Sequence, residues 1–287
     1  MLEKITRNLI NEAISNQKRA GQILVNDAVE TGYLDLDYAL GGLRRGETYI
    51  LGGRPAMGKT AFSINLIDNI AVQNNKCVAM FSVTQGKEPL INRLVQLVSK
   101  IEYVEFRKGL RQYQSSVDVG ISKLEHANVY IDDTPRISVE EIDAYLDKVP
   151  DQLDLIIIDN LQMIGDVTNE TQYFESLDRL KTIAVERKCP IFILSEVSHT
   201  PEERVDHRPV VSDFGLGKIE RHADNILFLY RDEYYNRQTE MRGIAEISIA
   251  RNKHGNAAVV LLAWIPEYQK FCSLEHCEDD IDEEADY

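Results

Sequence analysis

Short apolar runs recur along the chain at TYIL (Thr48–Leu51), CVAMFSV (Cys77–Val83), NVYIDD (Asn128–Asp133), LDLIIID (Leu153–Asp159), PIFILS (Pro190–Ser195) and NILFLYR (225–231). Runs of this length without polar alternation suit strands buried on both faces, as in a parallel sheet. Between them, apolar residues fall at helical spacing over Lys59–Gln73, 88–100 and Thr171–Lys188. Residues 102–127 also read as helical, with breaks expected near Gly109 and Gly120. Ser138 and Glu141 form a capping box that opens a helix running to about Val149. Residues 2–19 are predicted as an amphipathic helix, with a hinge around Gly21. TGYLDLDYALGGLRRGE, which follows, reads as a turn-rich link. His199–Asp224 is polar with little periodicity, and a loop that long is functional or disordered. GIAEISIARNKHGNAAVVLLAWIP reads as an antiparallel pair turning at HGN. The alternation predicts an α/β fold: a mostly parallel twisted sheet, helices on both faces, and a C-terminal antiparallel hairpin. No internal repeat is visible.

Composition narrows the setting. A length of 287 residues and an apolar fraction of 44% support one large α/β domain with a substantial core. The net charge of −15 excludes a global basic field for nucleic acid, so any such contact must be local. Eight of the acids lie in the last stretch, EHCEDDIDEEADY, and without them the body carries −7. That stretch reads as a solvated, disordered tail. The organisation expected is a helix over 1–20, an ATPase domain over 21–274 and an acidic tail over 275–287. Cys77, Cys189, Cys272 and Cys277 read as free thiols in a reducing compartment. Zinc is not expected at Cys272, His276 and Cys277, because no second ligand pair accompanies them. The N-terminus is too polar for a signal peptide, and no apolar run approaches membrane-spanning length. The expectation is a soluble cytoplasmic protein with no membrane partner.

The chemistry concentrates at GGRPAMGKTAF, Gly52–Phe62. Gly53, Gly58, Lys59 and Thr60 fit G-x-x-x-x-G-K-[ST] between a predicted strand and a predicted helix. Glycines let backbone N–H groups turn inward around phosphate oxygens, Lys59 brings a charge to them, and Thr60 offers a hydroxyl to Mg²⁺. The loop residues Gly53, Arg54, Pro55, Ala56, Met57, Gly58, Lys59, Thr60 and Ala61 are therefore candidates for binding ATP. LDLIIIDN ends in Asp159 at the carboxyl edge of an apolar strand, where an aspartate can hold Mg²⁺ opposite the loop.

With these residues in place, the chain resembles the RecA-like motor domain of DnaB-type replicative helicases. The resemblance rests on TGYLDLDYALGGLRRGE, GRPAMGKTAF, NVYIDD, IIIDNLQMI, HRPVVSD, ADNILFLYRDE and GIAEISIARNKHGN, spread over roughly residues 31–272 in family order. It implies a P-loop NTPase with a RecA-like fold, ATP and Mg²⁺ as ligands, and Gln162 near the nucleotide. It further implies a ring hexamer translocating 5′→3′ on single-stranded DNA, working with other replication proteins. The family's N-terminal helical domain is not expected here. Residues 2–19 look like its linker helix, which docks on the neighbouring subunit.

The chain departs from the family at three catalytic positions. After MFSV, where the family usually carries the glutamate that polarises water, this chain has Thr84 and then Gln85. A threonine hydroxyl is no base at neutral pH. After FILS, where the family usually has glutamine, this chain has Glu196. In the last hairpin the family's Lys and Arg, which reach a neighbour's ATP, become Arg251 and Lys253. The two cations differ in reach and geometry. One reading is compensation, with Glu196 orienting the water and Arg251 acting as the finger. The other is decay into a hydrolysis-impaired, ATP-binding regulator of a helicase ring. For DNA, the resemblance points to loops at 165–174 and 199–222, with Gly215, Gly217 and Lys218 offering N–H groups and charge to phosphates. The second loop lacks the family's RES-G sequence and is one residue shorter.

Overall fold

A computed structural model describes residues 27–274, apart from 110, 151, 166 and 168. The expected helix at 1–20 and the acidic tail at 275–287 lie outside the described residues. In chain order the elements are α1 (Leu34–Leu40), β1 (Thr48–Gly53), α2 (Lys59–Ile67), β2 (Val78–Ser82), α3 (Lys87–Val98), α4 (Tyr103–Lys108) and α5 (Gln114–His126). There follow β3 (Val129–Asp132), α6 (Val139–Leu146), β4 (Leu155–Asp159), α7 (Glu170–Arg187) and β5 (Ile191–Glu196). The chain closes with β6 (Asn225–Tyr230), β7 (Ile244–Arg251), β8 (Ala258–Ile265) and β9 (Lys270–Ser273).

These strands form one nine-stranded sheet in the order β3-β2-β4-β5-β1-β6-β7-β8-β9. Pairing is parallel from β3 to β6 and antiparallel from β6 to β9. The apolar runs become strands because helices cover both faces. Along β4, Leu155 and Ile157 face one core cluster, while Ile156 and Ile158 face the other. The first cluster packs under α2 and α3 through residues such as Phe62 and Leu94, the second under α6 and α7 through Ile142 and Leu180. Strand β3 forms one edge and is only half-buried. Among the described residues, no helix is long and apolar enough to cross a membrane.

Five expectations change. The turn-rich link contains α1, closed by Gly41 at φ 73. Its αL residue ends the helix so soon that periodicity has no room to show. The helix predicted over Lys59–Gln73 is α-helical only to Ile67, and Asp68–Gln73 is wound as a π-helix. Gly120 does not break its helix. It lies inside α5, where a Cβ would collide with the Ser99 hydroxyl, so the glycine serves helix-to-helix approach. The hairpin gains a further strand, β9, whose Phe271 packs on Trp264 at 4.5 Å and Phe62 at 5.5 Å between ring centroids. The segment 199–224 is folded, with 3₁₀ turns at Thr200–Glu203, Val211–Phe214 and Ile219–Arg221. Its polar residues find partners: Arg204 Nη1 donates to buried Asp213 at 2.9 Å, and Arg208 Nε donates to Glu246 at 2.8 Å. Such pairing leaves no hydrophobic period to read.

Candidate nucleotide site

Parallel pairing brings the carboxyl ends of several strands to one edge. Gly53 of β1 is in register with Glu196 of β5, and Ser82 of β2 with Asp159 of β4. Thr84 follows β2 at the same edge. The loop after Gly53 turns through Ala56 at φ 64 and Gly58 at φ 105 before α2 begins at Lys59. A side chain at Gly58 would meet both that strained φ and the Phe271 ring at 3.3 Å. At Gly53 an added Cβ would lie 3.0 Å from the Leu229 carbonyl oxygen.

Within this frame the Thr60 hydroxyl donates to Asp159 Oδ2 at 2.7 Å. Lys59 Nζ donates to the carbonyls of Gly53 at 2.7 Å and Arg54 at 3.2 Å. Burial draws its pKa down to about 8, against the pull of Glu196 and Asp159. Burial also raises the pKa of Asp159, which the Thr60 hydrogen bond and the Lys59 charge only partly offset. Lys59, Thr60, Thr84, Asp159 and Glu196 all line one open cleft of ≈ 500 Å³. Among the described residues, no hydrogen bond or ion pair reaches the Glu196 carboxylate; only its backbone is engaged. A desolvated ammonium held by carbonyls, a helix N-terminus behind it, and a hydroxyl paired with a carboxylate make a donor set that fits a nucleoside triphosphate carrying Mg²⁺.

The other candidates divide. Pro55, Ala56, Gly58 and Ala61 line the cleft. Met57 is buried, and Arg54 turns away from the cleft, donating to the Val197 carbonyl at 2.9 Å and to Glu202 at 2.8 Å. Gln162 does not line the cleft; its amide binds Ser195 and the Glu196 backbone. Arg251 and Lys253 lie at the opposite edge, since β7 runs antiparallel to β6 and pairs Arg251 with Ile226 at its start. Lys253 Nζ sits 3.0 Å from Asp224 and 3.4 Å from Glu47. Burial lowers its pKa, but the two carboxylates more than offset this and leave it raised. Gly215, Gly217 and Lys218 line a separate cleft of ≈ 720 Å³ that also contains Arg251.

Sequence reasoning missed five residues in the nucleotide cleft: Arg93, Asn160, Arg231, Trp264 and Gln269. Arg231 stacks on Trp264 at 4.8 Å and donates to the Ala56 carbonyl at 3.1 Å. It stands in FLYRDE, directly after a core strand, and that placement is the available signal. Arg93 is a polar position on α3 that periodicity treats as solvent-facing. Cys77, Cys189 and Cys272 are buried, and burial pushes the Cys189 thiol up to about 12. Among the described residues no group of side chains is arranged to hold a metal through His, Cys, Asp and Glu alone.

The DnaB-like helicase C terminal domain family matches residues 28–273. The chain belongs to the DnaB-like helicase C-terminal domain family. The domain is 37% identical over 262 residues to the replicative DNA helicase DnaC of Bacillus subtilis (strain 168), covering 88% of this chain and 58% of that protein. It is 37% identical over 257 residues to the replicative DNA helicase DnaB of Geobacillus stearothermophilus, covering 86% of this chain and 57% of that protein. The chain thus spans just over half the length of these relatives. Among solved structures, a DnaB-like replicative helicase studied with its interactions with primase matches this DnaB-like domain with a TM-score of 0.86 at 28% identity, over 96% of this chain and 68% of that one. A second structure, solved as an ATPase domain by itself, matches at 0.86 and 27%, over 95% of this chain and 100% of that one. RadB recombinase, at 17% identity and a TM-score of 0.56, shares the fold alone. The RecA-like expectation and the family resemblance are thereby met.

Proposed function

We propose that this DnaB-like domain hydrolyses ATP and uses the turnover to move along single-stranded DNA, as the motor of a replicative helicase ring. The observation that carries the reading is the second carboxylate in the cleft. Glu196 shares the site with Lys59, Thr60 and Asp159, and its carboxylate has no other partner among the described residues. In this reading the loop N–H groups and Lys59 hold the β- and γ-phosphates, while Thr60 and Asp159 hold Mg²⁺. The metal, when bound, offsets the charge that develops on the phosphate oxygens. Glu196 orients a water and takes its proton as the water oxygen bonds to the γ-phosphorus. The bond from that phosphorus to the β–γ bridging oxygen breaks, and ADP leaves with the electron pair.

Arg251 is proposed to complete the site of the next subunit. Its position at the edge away from its own cleft supports action in trans, and an arginine finger is worth roughly 10³–10⁵ in rate. Lys253, paired with Asp224 and Glu47, supports Arg251 rather than reaching across. DNA phosphates are proposed to meet Gly215, Gly217 and Lys218; the positive φ of Gly215 and Lys218 turns backbone there as anion-binding loops do. A ring hexamer joined through residues 2–19, 5′→3′ polarity and other replication proteins as partners complete the proposal from the family resemblance, and a cytoplasmic setting is added from the reading of the cysteines as thiols in a reducing compartment.

Paired variants test the chemistry. Glu196→Gln should lower turnover by about 10²- to 10⁴-fold, the typical worth of a positioned base. Thr84→Glu should then change little. If Thr84→Glu instead raises turnover steeply while Glu196→Gln is silent, the wild type is the hydrolysis-impaired regulator that Thr84 suggests.

A further inference from the structure

The family resemblance puts Gln162 at the nucleotide. Its side chain does something else. Strand β4 ends at Asp159, and the chain then makes a 3₁₀ turn at Leu161–Met163 that aims Gln162 sideways at the end of β5. There Gln162 Oε1 accepts the Glu196 N–H at 3.1 Å. Gln162 Nε2 donates to the Ser195 hydroxyl at 2.8 Å and to the Glu196 carbonyl at 3.3 Å. Both ends of one amide therefore grip the backbone of one residue. The turn is itself held, because the Tyr173 hydroxyl of α7 donates to the Gln162 carbonyl at 3.4 Å.

We infer that Gln162 is a positioning residue for hydrolysis, fixing the backbone from which Glu196 reaches the cleft. This rests on Glu196 acting as the base. The physical need is specific. Glu196 is the exposed last residue of β5; the sheet pairs it with Gly53 of β1 on one side only, since the pairing with β4 ends at Leu194, and Gln162 supplies the hold on the open side. A base misplaced by about 1 Å can lose about 10²-fold in rate. The clamp also links the two carboxylates of the cleft through three residues of chain, since Asp159 precedes the turn and Glu196 lies under its side chain. Strands β4 and β5 pair directly only as far as Asp159 and Leu194, and beyond that point this hydrogen-bonded turn ties the metal-holding end to the water-orienting residue.

The test is a mutant cycle on the full chain, with kcat and KM for ATP measured separately. Gln162→Ala and Gln162→Met, the latter keeping the bulk, should each lower kcat by about 10- to 10²-fold with KM nearly unchanged. Thermal stabilisation by a non-hydrolysable ATP analogue with Mg²⁺ should stay at the wild-type level in both. The double variant with Glu196→Gln should be no slower than Glu196→Gln alone, because a clamp has nothing left to position. If Glu196→Gln turns over like wild type, the base assignment fails and this inference with it. If Glu196→Gln is slow but the Gln162 variants are not, or the two losses multiply, the base stands and the clamp is overturned. Loss of analogue binding in the Gln162 variants would return the residue to nucleotide binding and also overturn the clamp.

Discussion

Single residues decide the chemistry of this domain, and their legibility varies with how local their signal is. Gly53, Gly58, Lys59 and Thr60 announce themselves through spacing, because a phosphate loop needs those types within eight positions. The family resemblance picked out Gln162 but not its partners, which sit more than thirty residues away and are brought to it only by the sheet. Asp224 is similar. Burial would raise its pKa, but Lys181 at 2.8 Å, Lys253 at 3.0 Å and the Thr48 N–H outweigh it and hold the carboxyl below its usual range. The folded state therefore favours the ionised form. Its stabilisation is full above the ordinary carboxylate range and is lost as pH falls through the lowered folded-state value. Asp224→Asn should cost about 2 kcal/mol near neutral pH, less than a fully buried pair because both lysines are partly solvated. That cost should shrink on acidification below about pH 4. Urea unfolding of both proteins across this range checks it; a cost independent of pH would show that the carboxylate is not held ionised.

At the scale of elements, the buried strands were legible because a parallel sheet covered on both faces demands unbroken apolar runs. The helix α1 and strand β9 were not, being too short for a period. Gly120 shows the limit of composition-based reading. Glycine weakens a helix by about 1 kcal/mol relative to alanine, so it reads as a break. Inside α5 it instead lets Ser99 approach, with Ser99 N and Cβ both 3.2 Å from where a Cβ would stand. Gly120→Ala should therefore destabilise by about 1 kcal/mol net, the strain of about 1–3 kcal/mol exceeding the gain in helix propensity. Adding Ser99→Ala should recover part of the loss, as it removes the hydroxyl in closest conflict. Denaturant midpoints for the single and double variants decide this; a more stable Gly120→Ala protein would mean that the helices separate freely.

For the whole molecule, the sheet sorts the candidate groups to two opposite edges. Lys59, Thr60, Asp159 and Glu196 gather at one, Arg251 and Lys253 at the other. The sequence order of motifs hinted at a motor domain, but only the antiparallel run of β7 against β6 separates the cations from their own cleft. Head-to-tail contacts between such edges generate rings when the rotation closes. Subunits with Lys59→Ala and subunits with Arg251→Ala should each be inactive alone. Mixed, they should regain turnover at about a quarter of the sites, where an intact loop meets an intact arginine. No recovery on mixing, with mixed assemblies present, would argue that Arg251 acts within its own chain.

The claim that this domain is a DNA-driven motor stands or falls most directly on ATP turnover measured with and without single-stranded DNA, with the mass in solution recorded alongside. The account predicts hydrolysis that rises at least several-fold with DNA in an oligomeric assembly, and that Glu196→Gln abolishes. Nucleotide binding without turnover, or turnover indifferent to DNA, would contradict it.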